Sequence, residues 1–421
     1  MPRHSLFLIP LVAFVAACAD SPVSPTRVGV DRPSLQESEG RGVFQRYVAL
    51  GTSVSMGVQS DGAFFGTQQA SWPAQLSRMA GREMTQPYIE FPGCRSPIAP
   101  PLGAGVRLSG EPTLLAAALL SCAPNVAGVT LPTQNVALNG ARVGDALFTT
   151  PQNILDAGNR LVYSRVLAAG QTQVSAMEAQ NPKIVSVEFG GNEILSAQAG
   201  VALVGAPPLP IENPATFAAQ YDQLLDRIAA ARVKHVLLIG LPSNPFALPG
   251  FRSGLEIWAN AQALLVGFNV EVQADCGTTN ATNQIFVTVK LSAAIQAGLA
   301  ARAASQPPVP FTCAGAGPTT ADFVLTPSEQ AIVLAVAAQM NAAIQAEAEA
   351  RGYALASLDA LYSAPGVRTP LNVVALFTTA EPFGPYISLD GIHPNANGQA
   401  LIAAAAAEAL NARYDLGIPL P

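Results

Sequence analysis

The sequence is short of charge. Only 12% of its 421 residues are Asp, Glu, Lys or Arg, and the formal net charge is −6. No cluster of Lys or Arg stands out, which excludes the basic footprint that nucleic-acid binding needs. Aromatic residues are few, at 6%. Half of the residues are hydrophobic, yet no apolar stretch has the length and clean flanks of a membrane-spanning helix. The apolar residues are therefore read as a large folded core. No Cys-x-x-Cys spacing occurs and histidines are absent near the cysteines, so a metal site is disfavoured and no cofactor is expected. Histidine is the scarcest resource, with three copies. His4 lies in a leader-like segment, and His235 opens an apolar run, Lys234-His235-Val236-Leu237-Leu238-Ile239-Gly240. Only His393 is left as a free base.

What is present centres on Tyr47-Val48-Ala49-Leu50-Gly51-Thr52-Ser53-Val54-Ser55-Met56-Gly57. A short apolar run reads as a buried strand and breaks into small residues around Ser53. A strand ending in this way presents a serine hydroxyl at the carboxyl edge of a parallel sheet, where open α/β sheets bind ligands. Far along the chain, Ser388-Leu389-Asp390-Gly391-Ile392-His393-Pro394 supplies Asp390 three residues before His393. A serine becomes nucleophilic when a base takes its proton, and a carboxylate holds that base in the right tautomer. Asp359, at the end of a later strand, is the reserve carboxylate.

The first 17 residues have a basic start and a largely apolar run from Leu6 to Val15, too short for a permanent span and suited to a secretory signal. They end Val15-Ala16-Ala17-Cys18, which resembles the lipobox of bacterial lipoproteins. That resemblance implies cleavage before Cys18 and lipidation of its thiol, with Ala19 favouring the outer membrane. Residues 18–42 read as a disordered tether.

From 43 to 421, strand and helix patterns alternate, which argues for one α/β domain on a parallel sheet. Five strands are expected, at Tyr47–Leu50, Asn135–Leu138, Lys183–Phe189, Val233–Gly240 and Tyr353–Leu358. Helices are expected over Trp72–Met79, Ser164–Gln180, Phe217–Arg232 and Ser328–Arg351, with a last one after a first-turn Pro394. Two segments, about 86–133 and 242–327, break the alternation and read as insertions able to wall a pocket. Each carries two cysteines. Four cysteines permit three pairings. Cys94–Cys122 and Cys276–Cys313 are expected, each stapling its own insertion.

On these residues the chain resembles the SGNH/GDSL hydrolases, specifically their bacterial lipoprotein-type members. Four blocks match in order. Gly51-Thr52-Ser53-Val54-Ser55 resembles the nucleophile block. Asn135-Val136-Ala137-Leu138-Asn139-Gly140-Ala141 resembles the second block, Gly190-Gly191-Asn192-Glu193 the third, and Asp390-Gly391-Ile392-His393-Pro394 the last. The resemblance implies a flavodoxin-like three-layer α/β/α fold. It also implies a serine esterase or lipase with Ser53 as nucleophile, Asp390 and His393 as orienter and base, and Ser53, Gly140 and Asn192 as oxyanion donors. Thr52 and Glu193 stand where the family carries Asp. The expected substrates are acyl esters, lipids or acylated glycans. The alternative is a non-catalytic surface lipoprotein that binds a glycan or partner on the same scaffold.

Overall fold

The computed structural model describes residues 41–113, 121–205 and 211–421. The leader, Cys18 and the tether up to residue 40 lie outside the described residues.

Nine strands are present in these segments: β1 (Tyr47–Gly51), β2 (Ile184–Glu188), β3 (His235–Gly240), β4 (Phe251–Ser253), β5 (Val270–Val272), β6 (Gln284–Phe286), β7 (Val309–Phe311), β8 (Val324–Leu325) and β9 (Ala354–Ser357). The main sheet runs β1-β2-β3-β9 and is parallel throughout. Every residue of β1 and β2 is buried, as expected for parallel strands covered on both faces. Successive residues alternate between two cores. Val48, Leu50, Val185, Val187, Val236 and Leu238 join one cluster with Phe217, Tyr221 and Leu224 of the Pro214–Ala230 helix and Val333 of the Pro327–Arg351 helix. Tyr47, Ala49, Ile184, Leu237 and Ile239 join the other, with Trp72 and Leu76 of the Trp72–Met79 helix and Ile402 and Ala406 of the Ala396–Tyr414 helix. This period-2 division makes the three layers.

The expected second strand at Asn135–Leu138 is not a regular strand. It lies beside β1, with Val136 N–H donating to the Ala49 carbonyl and Leu138 N–H to the Gly51 carbonyl, each at 3.0 Å. Its one bridge is Ala49 to Asn135. The Asn135 side chain takes a ladder partner's place: its Oδ1 accepts from Ala137 N–H and its Nδ2 donates to the Ser55 carbonyl. Four strands and this extended segment fill the five positions. Counted along the chain the order is then 2-1-3-4-5, which puts the topological switch beside β1.

Two helices differ from expectation. The single helix over Ser164–Gln180 is two, Ala157–Val166 and Gln173–Glu178. The Thr172 hydroxyl accepts from Ser175 N–H and starts the second afresh. Pro394 lies before the last helix rather than in its first turn, because Asn395 caps it through Asn397 and Gly398 N–H.

Both expected disulfides form, Cys94–Cys122 and Cys276–Cys313. The second insertion has structure of its own. It contains an antiparallel sheet β4-β6-β8 and a parallel pair β5-β7.

Candidate active site

β1 ends at Gly51, and Thr52 caps the short Ser53–Met56 helix, which closes on Gly57 in a left-handed conformation. This turn holds Ser53 at the carboxyl edge of the sheet. Thr52 N–H and Oγ1 both donate to the Glu188 carboxylate at the end of β2, as do Ser55 N–H and Oγ.

The structure brings together Ser53, Asp390 and His393 from opposite ends of the chain. His393 Nε2 lies 2.9 Å from Ser53 Oγ, and His393 Nδ1 lies 2.7 Å from Asp390 Oδ2. Asp390 Oδ1 accepts the backbone N–H groups of Ile392 and His393 at 2.9 and 2.8 Å. Its Oδ2 accepts Asp61 N–H at 2.6 Å. Burial would raise the Asp390 carboxyl. The facing imidazole and the Ile392 and His393 N–H groups outweigh burial and hold it below its ordinary value. Burial would lower the His393 imidazole. Asp390 outweighs that too, with Asp61 and Glu188 adding, so His393 is held above its ordinary 6.5. A glycine is required within this turn. Gly391 has φ +74°, and a Cβ there would lie 2.6 Å from the Gly250 Cα of the second insertion.

Asp359 is elsewhere: its Oδ1 accepts from Ser243 N–H and Oγ. His235 stays at the start of β3, with Nδ1 3.3 Å from the Lys183 carbonyl and its ring edge-on to Tyr414. Gly140 and Asn192 both line the cavity that holds Ser53. Gly140 sits at φ +77°, a conformation that favours glycine. Asn192 Nδ2 donates to the Ala141 carbonyl at 2.7 Å, and an amide nitrogen has a second N–H. Glu193 is buried behind it and accepts Val143 and Gly190 N–H at 2.7 and 3.0 Å. Burial outweighs these bonds and pushes its carboxyl up to about 7.

The cavity measures about 460 Å³. Both insertions wall it, the first through Arg95, Ile98, Leu102 and Arg107, the second through Pro245, Phe246, Phe251 and Phe286. Most of these side chains are apolar. Among the charged lining residues, the Asp61 carboxylate bridges Arg95 and Arg107 at 2.7 Å each.

Three site residues were not expected from the sequence. Glu188 was legible as a lone acid inside an apolar strand, since buried carboxylates are rare without partners. Asp61 had only the turn signal of Ser60-Asp61-Gly62. Arg107 had none.

Among the described residues no group of three or more His, Cys, Asp or Glu is arranged to hold a metal ion. The class the structure defines is a parallel α/β fold with a serine, a histidine and an aspartate linked in series by hydrogen bonds at the carboxyl edge of its sheet. The family model for GDSL-like lipases/acylhydrolases matches residues 47–406, and the chain belongs to that family. Among solved structures it is similar to the extracellular lipase of Streptomyces rimosus. Identity is 15%, the match covers 87% of this chain and 98% of that one, and the TM-score is 0.34. No curated protein matches the chain.

Proposed function

We propose that the protein is a carboxylic ester hydrolase that works through an acyl-enzyme on Ser53. The observation that carries this reading is the continuous link from Ser53 Oγ to His393 Nε2 at 2.9 Å and from His393 Nδ1 to Asp390 at 2.7 Å. In this reading His393 removes the Ser53 proton as Oγ attacks the ester carbonyl. Asp390 keeps Nδ1 protonated and stabilises the imidazolium that forms. The imidazolium then protonates the departing alkoxide. Water, activated by the same His393, hydrolyses the acyl-serine.

Negative charge develops on the carbonyl oxygen during attack. Ser53 N–H, Gly140 N–H and the free N–H of Asn192 are the donors proposed to receive it. One such donor is worth about 3–4 kcal/mol in the transition state. Support comes from the left-handed Gly140 and from Asn192, whose bond to Ala141 fixes the amide while leaving one N–H. The apolar cavity favours acyl esters or lipids, with acylated glycans as a further class. In the same reading Cys18 carries a lipid anchor and the protein is exported to the outer membrane.

The test is hydrolysis of p-nitrophenyl esters from acetyl to palmitoyl, with Ser53→Ala as control. Turnover confined to the wild type supports the reading, and the preferred chain length sorts short-ester from lipase activity. Turnover unchanged in Ser53→Ala overturns it.

A further inference from the structure

Glu188 takes no part in the steps above, yet it is 2% exposed and in contact with the turn that carries Ser53. It is the last residue of β2, in register with Gly51 of β1. Its carboxylate reaches across to that neighbouring strand. Thr52 Oγ1 lies 2.9 Å from both carboxylate oxygens, and Thr52 N–H, Ser55 N–H and Ser55 Oγ reach Oε2 at 3.1, 3.3 and 2.9 Å. The residues on either side of Ser53 and Val54 are thus tied to one group on another strand. Trp72 Nε1 donates to Ser55 Oγ at 3.1 Å and fixes that hydroxyl from the helix layer.

Burying a carboxylate is costly unless it is well satisfied. A hydrophobic side chain would fill a strand end without that cost. Burial pushes the Glu188 carboxyl upward, opposed by the Thr52 and Ser55 bonds. The local gain is a rigid turn. A misplacement of about 1 Å in a reacting group costs about 100-fold in rate.

We propose that Glu188 is a positioning residue that aims the Ser53 hydroxyl at His393 by holding the Thr52–Ser55 turn from the adjacent strand. The inference rests on the serine-hydrolase reading. Glu188 also contributes negative charge to the surroundings of His393, along with Asp390 and Asp61. Arg95 and Arg107 pair with Asp61. Of the other titratable groups, Tyr221 and Tyr362 feel the Glu188 charge.

The experiment compares wild type, Glu188→Gln and the double variant Thr52→Asp/Glu188→Gln. The readouts are ester hydrolysis against pH and the rate of labelling by a serine-directed phosphonate. Glutamine keeps the shape, but its amide nitrogen cannot accept the turn's donors. The expected result is a fall in kcat of about 10- to 100-fold with KM held, together with an acid limb moved to lower pH because one negative charge near His393 is gone. Thr52 occupies the helix cap, where Asp is favoured and accepts the N–H two or three residues on. The double variant is therefore expected to regain part of the lost rate.

Wild-type kcat and an unmoved acid limb in Glu188→Gln overturn the inference. So does a fall in rate that tracks lost thermal stability and is not relieved in the double variant. If Glu188→Gln does not fold, Thr52→Val replaces it. That variant removes the Oγ1 donor to Glu188 together with the Thr52 cap on Val54 N–H and keeps the charge, so a slower labelling rate with an unmoved limb is expected, and wild-type labelling overturns. Failure of the wild type to label or hydrolyse would sink the hydrolase reading itself, a different result from all of these.

Discussion

The backbone N–H of Asp61 donates to Asp390 Oδ2 at 2.6 Å, while the Asp61 side chain bridges Arg95 and Arg107. Asp390 therefore receives a donor from a turn whose position is set by the first insertion. Ser60 joins in, with its N–H donating to Ser388 Oγ and its Oγ accepting from Leu389 N–H. Arg107 is 2% exposed and also donates to the Ser96 and Thr113 carbonyls. Replacing Asp61 with Ala leaves this buried guanidinium without its carboxylate. The expected loss is about 1–3 kcal/mol of stability, with a lower kcat because the support behind Asp390 loosens. Thermal melting and ester kinetics check both, and a variant that melts and turns over like the wild type refutes the coupling.

The pH profile follows from His393. The base must be neutral to accept the Ser53 proton, and its folded pKa is raised above 6.5 by Asp390, Asp61 and Glu188 against the opposing effect of burial. The acid limb of kcat/KM is expected above pH 6.5, with activity rising as pH increases through it. A limb at or below 6.5 contradicts this arrangement.

Glu193 makes a prediction about stability alone. Its folded pKa of about 7 exceeds the ordinary 4.5 because it is buried. Between these values the native state binds more protons than the unfolded state, so this group's contribution to stability is complete below 4.5 and is lost as pH rises through about 7. Urea unfolding across that window is expected to show a downward component that Glu193→Gln abolishes. Identical slopes in both proteins remove Glu193 as the cause.

The two disulfides close segments with sequence separations of 28 and 37 residues. Loss of each is expected to cost about 3–4 kcal/mol by the chain-entropy argument. Because both insertions wall the cavity, activity should fall with the melting temperature on reduction and alkylation. An unaltered melting curve with all four thiols demonstrably free would show that the staples contribute nothing.

Much of this protein was legible in its sequence because the signals are local. The alternation of buried strands with helices is carried by side chains two or four residues apart. Thr326 and Glu329 form the capping box of the Pro327–Arg351 helix, which ends on Gly352 at φ +68°. The strand carrying Ser53 and the three-residue spacing from Asp390 to His393 are likewise short-range, and with one free histidine the pairing of these two segments had few alternatives. The broken helix after Ala157 was hidden because Ala168, Ala169 and Gly170 are compatible with a helix or a turn, and the Thr172 cap decided between them.

Tertiary structure alone decided which distant groups support the site. Thr52 and Glu188 are 136 residues apart, and Asp61 and Asp390 are 329 apart. No periodicity links such pairs. Their contact depends on strand register and on how the first insertion folds back. A hydrogen bond between them forms only once the sheet has placed both ends within about 3 Å. The chemistry of each residue is written in the chain, while the partner that makes it useful is chosen by the packing of the layers.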